Sequence, residues 1–448
     1  MYIDHDTIVA PATASGGALT IIRLSGADAV AIADHLFRGR RPLADCKSHT
    51  AHFGTIEVEG RVIDEVVATL FRAPQSYTGD DTVEFSCHGS AYILREVLRL
   101  AIEAGARMAE PGEFTRRAYL SGHLDLAQAE AVADLIAANS QAAHRIATHQ
   151  MRGGYSSALD KLRDELLSLT ALLELELDFG EEDVEFADRT QLRTTMQAIS
   201  AEIERLRHSF ALGNALKEGV PVAIVGAPNV GKSTLLNQLL QEDRAMVSEI
   251  AGTTRDVIEE YLTIDGVRFR ILDTAGLHHT EDRLEQMGIE RTHQSIRRAM
   301  IILHLWDARE AVQGSLPTPD FPIREDQTLL SICNKTDLVT DFTAPDHVIP
   351  IVARTGEGID RLRQALRAAV RDDEEQTIVS NARHYEALTT ASEALTRALS
   401  GLDSNLPTDL LSEEIRSVIT AIGSITARGE ILPTEILGHL FGHFCIGK

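Results

Sequence analysis

The residues best able to do chemistry lie in Val220–Thr234, VPVAIVGAPNVGKST. Gly226 and Gly231 let a loop turn its backbone N–H groups toward a phosphate, and the helix start that follows adds partial positive charge. Lys232 has the reach for β- and γ-phosphates, and the Ser233 hydroxyl suits Mg2+. A full GxxxxGKS between a predicted strand (Val222–Val225) and the helical run STLLNQLL reads as a phosphate-binding loop. Asp273-Thr274-Ala275-Gly276 closes a second strand-like run, Val267–Leu272. An aspartate there suits an outer contact to Mg2+, and the Gly276 N–H suits a γ-phosphate. Asn334-Lys335-Thr336-Asp337 follows a third, Leu329–Cys333. The Asp337 carboxylate can accept two hydrogen bonds from the N–H edge of guanine, whereas adenine would leave it unpaired. Thr253-Thr254, in AGTTRD, offers a hydroxyl to close over Mg2+. Each stretch alone is weak; in this order, on alternating strands and helices, the four predict guanine-nucleotide hydrolysis.

One position departs from that chemistry. Ras-like enzymes place Gln directly after DTAG to orient the attacking water, and here Leu277 occupies it. Glu285, in the loop-to-helix segment Thr280–Gly288, is a candidate replacement, as are Glu281 and Asp282. Arg255 is the nearest arginine in the first switch, and a surface ion pair explains it equally well. A bound monovalent cation is the other source of neutralising charge, with the Asn229 side-chain carbonyl as one ligand.

The elements that must position these residues follow from periodicity. Residues 1–118 read as α/β, with strands at Thr20–Leu24, Thr55–Val58, Val62–Phe71 and Asp81–Cys87, helices at Asp28–Phe37 and Tyr92–Ala104, and a hairpin at Glu59-Gly60. From Leu124 the pattern is helical for about ninety residues. Leu159, Leu162, Leu166, Leu169 and Leu173, then Leu192, Met196, Ile199, Ile203, Leu206 and Phe210, recur at three- and four-residue spacing, as helix seams do. Between them Gly180–Asp188 (GEEDVEFAD) reads as a solvated turn in preference to a metal cluster. Glu218–Arg371 supplies the nucleotide module, with a hairpin at Asp265-Gly266, further strands at Ile258–Ile264, Met300–Trp306 and Val348–Ala353, and a closing helix at Gly358–Val370. Asp372–Glu375 reads as an acidic linker, and Asn381–Phe444 as helix again. The fold class is therefore α/β plus α, with a Ras-like doubly wound module inserted in a helical domain. The expected boundaries are 1–118, then 119–217 with 376–448, then 218–375.

Bulk composition sets limits. The 448 residues carry 43 Lys+Arg against 67 Asp+Glu, a net charge of −24, so nucleic acid must be met by a local basic patch or through a partner. Arg116-Arg117, Arg291 and Arg297-Arg298 are the best local basic groups, although solvated helix faces are the plainer reading. Four cysteines without a CxxC pair fit a reducing compartment and no zinc site. With no long apolar run and no signal-like start, a cytoplasmic protein without a membrane span is expected.

At whole-chain level the sequence resembles the MnmE (TrmE) family of bacterial tRNA-modifying GTPases. The resemblance is carried by DTIVA (6–10), IIRLSG (21–26), SYTGDDTVE (76–84), CHG (87–89), PGEF (111–114) and LDLAQAEAVADL (124–135), by the nucleotide motifs and RTGEG (354–358), and by the terminal FCIGK (444–448). It implies a homodimer formed through N-terminal domains similar to folate-binding one-carbon domains. It also implies an FAD-dependent partner, MnmG (GidA). Together they would place a carboxymethylaminomethyl- or aminomethyl-type group on the wobble uridine of certain tRNAs, using 5-formyl- or methylene-tetrahydrofolate as carbon source.

Carried over position by position, the resemblance implies K+ contacts at Asn229, Ser248, Ile250 (through its carbonyl) and Thr253, and Mg2+ contacts at Ser233 and Thr254. Val230, Gly231, Lys232, Thr234, Glu249, Ala251, Gly252, Thr274, Ala275, Lys335, Val352, Ala353 and Arg354 complete the expected GTP contacts. Glu285 matches the family's water-orienting glutamate, and Lys232 is the other expected catalytic group of the nucleotide site. Arg23, Glu84 and Lys448 match folate contacts. Cys445 is either close to the folate chemistry or an ordinary buried thiol. Three departures stand out. His123, a weaker base, replaces a basic folate contact, which implies weaker binding of folate carboxylates. Val352 replaces the serine of the guanine loop, leaving base contact to the backbone of Ala353 and Arg354. The Gly-rich opening loop is Ala14-Ser15-Gly16-Gly17, without its arginine. Two other readings stay open on the motifs alone: a ribosome-assembly or signalling switch, and a self-sufficient folate enzyme regulated by GTP.

Overall fold

The computed structural model describes residues 6–14, 16–178, 189–241, 260–272, 285–311, 318–340, 343–370 and 377–427, together with 437, 440–442, 444, 445 and 447. The chain divides into two compact units. One holds Met1–Ala133, Gln150–Arg163 and Ile422–Lys448; the other holds Asp134–His149 and Asp164–Ala421.

The first unit opens with β1 (Ile8–Pro11), β2 (Leu19–Ser25), α1 (Ala29–Leu36), β3 (Phe37–Gly39), β4 (Thr50–Val58), β5 (Arg61–Phe71) and β6 (Thr82–His88). It continues with α2 (Ala91–Glu103), β7 (Arg107–Met108), α3 (Glu113–Leu120) and α4 (Leu126–Ala137), whose last residues pass into the second unit. The strands form one sheet in the order β3-β4-β5-β6-β2-β1-β7. Glu59 and Gly60 have φ of 51° and 78°, the left-handed pair that a tight hairpin between β4 and β5 requires. Alternation along each strand divides the two faces. Ile22, Leu24, Val66, Ala68, Val83 and Phe85 pack with Val30, Ala33, Val97 and Ala101 of α1 and α2 in one core. On the opposite face, cross-strand partners run Phe53, Val67, Ser86, Ile21 from β4 to β2. Phe53 is 67% and Val67 38% exposed, as is Leu19 at 63% at the end of β2, so this face carries an open apolar strip.

The last described residues return to this unit. Phe441 and Leu437 pack with Tyr119, Leu126 and Ala129 of α3 and α4. Gly112 lies so close to the tail that a Cβ there would sit 2.6 Å from the Phe441 carbonyl oxygen.

The second unit contains α5 (Gln141–Met151) up to His149, most of α6 (Gly154–Asp178), and α7 (Arg189–Glu218). Then come β8 (Val220–Val225), α8 (Lys232–Gln241), β9 (Glu260–Ile264), β10 (Val267–Leu272), α9 (Glu285–Arg298), β11 (Ile301–Asp307) and the single turn α10 (Ala308–Ala311). β12 (Thr328–Asn334), β13 (Val348–Pro350), α11 (Ile359–Ala369), α12 (Ala382–Asp403) and α13 (Thr408–Thr426) follow, with Ile422 onward in the first unit. The sheet order is β13-β12-β11-β8-β10-β9, parallel except for the edge strand β9. Helices on both faces make it doubly wound. The seam residues Leu192, Met196, Ile199, Ile203 and Leu206 are all buried, and α7 packs along α12 with Phe210 stacked on Tyr385 at 4.6 Å. The chain entering the nucleotide module thus meets the chain leaving it. β13 is shorter than Val348–Ala353 because the chain turns at once, Gly356 N–H donating to the Val352 carbonyl at 3.0 Å. The acidic stretches 180–188 and 372–375 lie outside the described residues.

Candidate functional site

β8 ends in Gly226, where the loop begins. A Cβ on Gly226 would lie 2.1 Å from the Leu305 carbonyl oxygen of β11, and φ is +153°. Only glycine fits, so the loop lies directly on the sheet. Asn229 takes a left-handed φ of 59°, and Gly231 one of 107°. Lys232 and Ser233 open α8, both half-buried, with Thr234 exposed behind them. Burial lowers the Lys232 pKa below its ordinary value. Its ammonium donates to the carbonyls of Gly226 (2.8 Å) and Ala227 (2.9 Å), so those loop oxygens hold the charge where phosphates would meet it.

The Asn334–Asp337 stretch is braced against this loop. The Asn334 side chain, buried at the end of β12, donates to the Val230 carbonyl at 2.8 Å and accepts the Ala353 N–H at 3.0 Å. That amide was one of two expected to meet the base; here it holds Asn334. Val352 is buried, its N–H donating to the Glu357 carbonyl at 2.9 Å. Lys335, left-handed at φ 62°, donates to the Asn229 carbonyl at 2.8 Å and to Asp307 at 2.9 Å. Asp337 has its carboxylate 3.6 Å from the exposed Arg354 guanidinium and is one-third exposed, open to a ligand.

Asp307, which no sequence motif marks, ties into the same network. It ends β11, is 5% exposed, and accepts Arg309 Nε at 2.9 Å and Nη2 at 2.7 Å as well as Lys335. Hydrogen bonds from Arg309 first, then from Lys335, hold its carboxyl far below the usual carboxylate range. The only signal was an acidic residue immediately after a run of buried apolar ones.

Several predicted contacts fall outside the described residues: Ser248, Glu249, Ile250, Ala251, Gly252, Thr253, Thr254, Arg255, Asp273, Thr274, Ala275, Gly276, Leu277, Glu281, Asp282 and Lys448. Glu285 opens α9, but its side chain is not among those described.

A second cluster forms in the first unit. Arg23 of β2 pairs across the ladder with Glu84 of β6, Nε to Oε1 at 2.7 Å. The guanidinium lies 5.5 Å from the Tyr77 ring centroid and 5.4 Å from that of Phe114, and donates to the Gly447 carbonyl at 3.3 Å. Gly447 has φ of 97° and sits against β1, where a Cβ would come within 2.0 Å of the Pro11 carbonyl oxygen. Tyr77 is fixed by a 2.9 Å hydroxyl contact to Thr115, and burial raises its phenol pKa. The His123 Nε2 donates to the Pro74 carbonyl at 2.8 Å, fastening the loop that carries Tyr77. Cys445 is exposed, which corrects the expectation of an ordinary buried thiol; its carbonyl accepts the Gly112 N–H at 3.5 Å. Cys46, Cys87 and Cys333 are the buried thiols, and burial is the chief cause that pushes Cys87 and Cys333 up to about 12.

Residues 126–445 match the family described as MnmE helical domain, and residues 7–123 match GTP-binding protein TrmE N-terminus. The chain belongs to the MnmE (TrmE) family. A Porphyromonas gingivalis relative, named tRNA modification GTPase MnmE, is 49% identical over 99% of this chain and 98% of its own. A relative of the same name from Bacteroides fragilis is 47% identical over 100% of both chains. The crystal structure of Aquifex aeolicus Era bound to GDP·AlF4− is 26% identical over 39% of this chain and 65% of that one, with a TM-score of 0.24. As a member of the MnmE family the chain is a GTP hydrolase, and the loop described above is its P-loop. Among the described residues, no helix is long and apolar enough to cross a membrane.

Proposed function

We propose that this GTP hydrolase takes part in modifying the wobble uridine of certain tRNAs. What carries the reading is near-full-length similarity to relatives named for tRNA modification, together with a P-loop already braced by Asn334 and Lys335. The finer reading is K+-activated hydrolysis. Ser233, half-buried in the first turn of α8, would hold Mg2+, and Asn229 would offer its side chain to K+. Mg2+ and K+ would neutralise charge developing on the phosphates, and Glu285 would orient water. With Leu277 in the glutamine position, some such group is needed.

Arg23 and Glu84 would hold a tetrahydrofolate derivative as the one-carbon source. A paired arginine and glutamate flanked by Tyr77 and Phe114 suits a ligand with both amide-type edges and an aromatic ring. The cross-strand row holding Arg23 and Glu84 lies beside the open row Phe53, Val67, Ser86, Ile21. A second copy of the chain would cover that strip, giving a homodimer through the N-terminal sheets. An FAD-dependent partner of the MnmG type would complete the chemistry in the cytoplasm. The boundaries 1–118, 119–217 with 376–448, and 218–375 remain our proposal for the three functional domains.

The test is GTP hydrolysis in KCl against NaCl at equal ionic strength, with Glu285→Ala alongside, and wobble-nucleoside content in cells lacking the protein. Strong K+ stimulation lost in the variant, with the modified nucleoside missing, is expected. Equal slow rates in both salts and unchanged tRNA would instead favour a switch in ribosome assembly or signalling.

A further inference from the structure

The chain carries a net charge of −24, yet residues 38–47 read RGRRPLADCK, with four cations and one acid. The stretch covers β3, at the end of the first sheet opposite β1 and β7, and the loop leading to β4. Arg38, Arg40, Arg41 and Lys47 are all exposed, with His35 and His49 exposed beside them in sequence. Arg38 is anchored: its Nη1 donates to the carbonyls of Asp34 (3.0 Å), His35 (3.2 Å) and Phe37 (3.1 Å) at the end of α1. Asp34 accepts the backbone N–H groups of Leu43 (2.5 Å) and Ala44 (2.9 Å), which fixes the loop. Arg40, Arg41 and Lys47 have no carboxylate partner among the described residues.

The basic pairs picked out earlier fare differently. Arg116 and Arg117 are engaged with Glu110, Glu113 and Asp6, with Glu113 fully buried. Arg297 and Arg298 close α9, where the helix end itself favours positive charge.

We propose that the exposed strip Arg38–Lys47 docks the phosphate backbone of tRNA. The proposal rests on the tRNA-modification reading above. A polyanion approaching a strongly acidic chain is repelled except where cations are concentrated and unpaired, and this strip meets both conditions. It contributes position and not sequence preference, because phosphate contacts carry no base information.

The experiment measures binding of a labelled tRNA transcript to the full chain across salt concentrations, for wild type, Arg40→Ala/Arg41→Ala and Arg297→Ala/Arg298→Ala. Each phosphate contact contributes roughly 0.7–0.9 to the slope of log affinity on log salt, so the first variant should flatten it by about 1.5 and weaken binding about thirtyfold near ~0.1 M salt. The α9 variant should match wild type, and thermal unfolding and GTP hydrolysis should be unchanged in both. An unaltered slope in the Arg40/Arg41 variant, or a loss confined to the α9 variant, overturns the proposal. Equal binding to phosphatidylserine vesicles, lost in the same variant, overturns it in favour of a membrane surface. No tRNA binding by wild type at any salt also overturns it; tRNA modification would still stand or fall on wobble-nucleoside content.

Discussion

Replacing Asp307 with alanine tests whether the Asn334–Asp337 stretch, proposed to read the base, is held in place before a nucleotide arrives. Asp307 Oδ2 accepts Lys335 Nζ at 2.9 Å, and the same ammonium reaches the Asn229 carbonyl of the P-loop at 2.8 Å. The Asp307 side chain is 7% and the Lys335 side chain 27% exposed, so solvent screens the pair only in part. A hydrogen bond between charged groups is worth about 1.5–3 kcal/mol. The Arg309 contact is discounted, because that side chain is 61% exposed. Lys335 keeps its bond to Asn229, so the lower end applies, and GTP and GDP affinity should fall about tenfold. Fluorescent-nucleotide binding measures this, with thermal unfolding to separate affinity from stability. Asp307→Asn, which keeps the shape and one acceptor, should lie between. Affinity within twofold of wild type for Asp307→Ala would refute the bracing argument.

The pH dependence follows with a defined sign. The folded Asp307 pKa lies far below its ordinary 3.8, so its stabilising contribution is fully present above that value. The contribution is lost only as pH falls through the lower folded value. Nucleotide affinity should therefore show no Asp307 titration between neutral pH and about pH 5.

Further outcomes are expected. Gly231→Ala would put a Cβ 2.3 Å from Asn334 Nδ2 at a φ of 107°, and should displace Asn334 and abolish measurable GTP binding; wild-type affinity by calorimetry would contradict this. Asp337→Asn should shift preference from GTP toward xanthosine triphosphate, read in a competition assay, and a retained GTP preference would mean that another residue reads the base. Gly447→Ala, with its Cβ 2.0 Å from the Pro11 carbonyl oxygen, should weaken tetrahydrofolate binding at least tenfold in equilibrium dialysis while leaving GTP hydrolysis unchanged.

What was legible in the sequence was local in the chain. The phosphate-binding loop depends on glycines five residues apart, and the helix seams on three- and four-residue spacing; both were assigned to the right elements. The hairpins at Glu59-Gly60 and Asp265-Gly266 read equally well, because a left-handed pair has a short signature. What could not be read depends on register between distant segments. Arg23 and Glu84 meet only because β2 and β6 pair with that alignment, and no pattern within either strand encodes it. Asp307 looks like the polar end of a buried strand until β12 brings Lys335 alongside. The contact of His123 Nε2 with the Pro74 carbonyl likewise joins residues 49 apart in the chain. The cationic stretch from Arg38 is visible as letters, but the hold of Asp34 on the backbone of Leu43 and Ala44, which fixes its loop, is not.

The docking of the tail on the first sheet has a consequence for biosynthesis. The first unit is interrupted: its second segment ends at Arg163 and its third begins at Ile422, with about 260 residues between them. At about 5–20 residues per second a ribosome needs roughly 13–50 s to cross that gap. Throughout that interval Tyr119, Leu126 and Ala129 lack the Phe441 and Leu437 that cover them, and Arg23 lacks the Gly447 carbonyl. A nascent chain therefore shows an apolar surface for long enough to engage chaperones. A ribosome that stops anywhere before residue 437 leaves Tyr119, Leu126 and Ala129 without Leu437 and Phe441, and Arg23 without the Gly447 carbonyl.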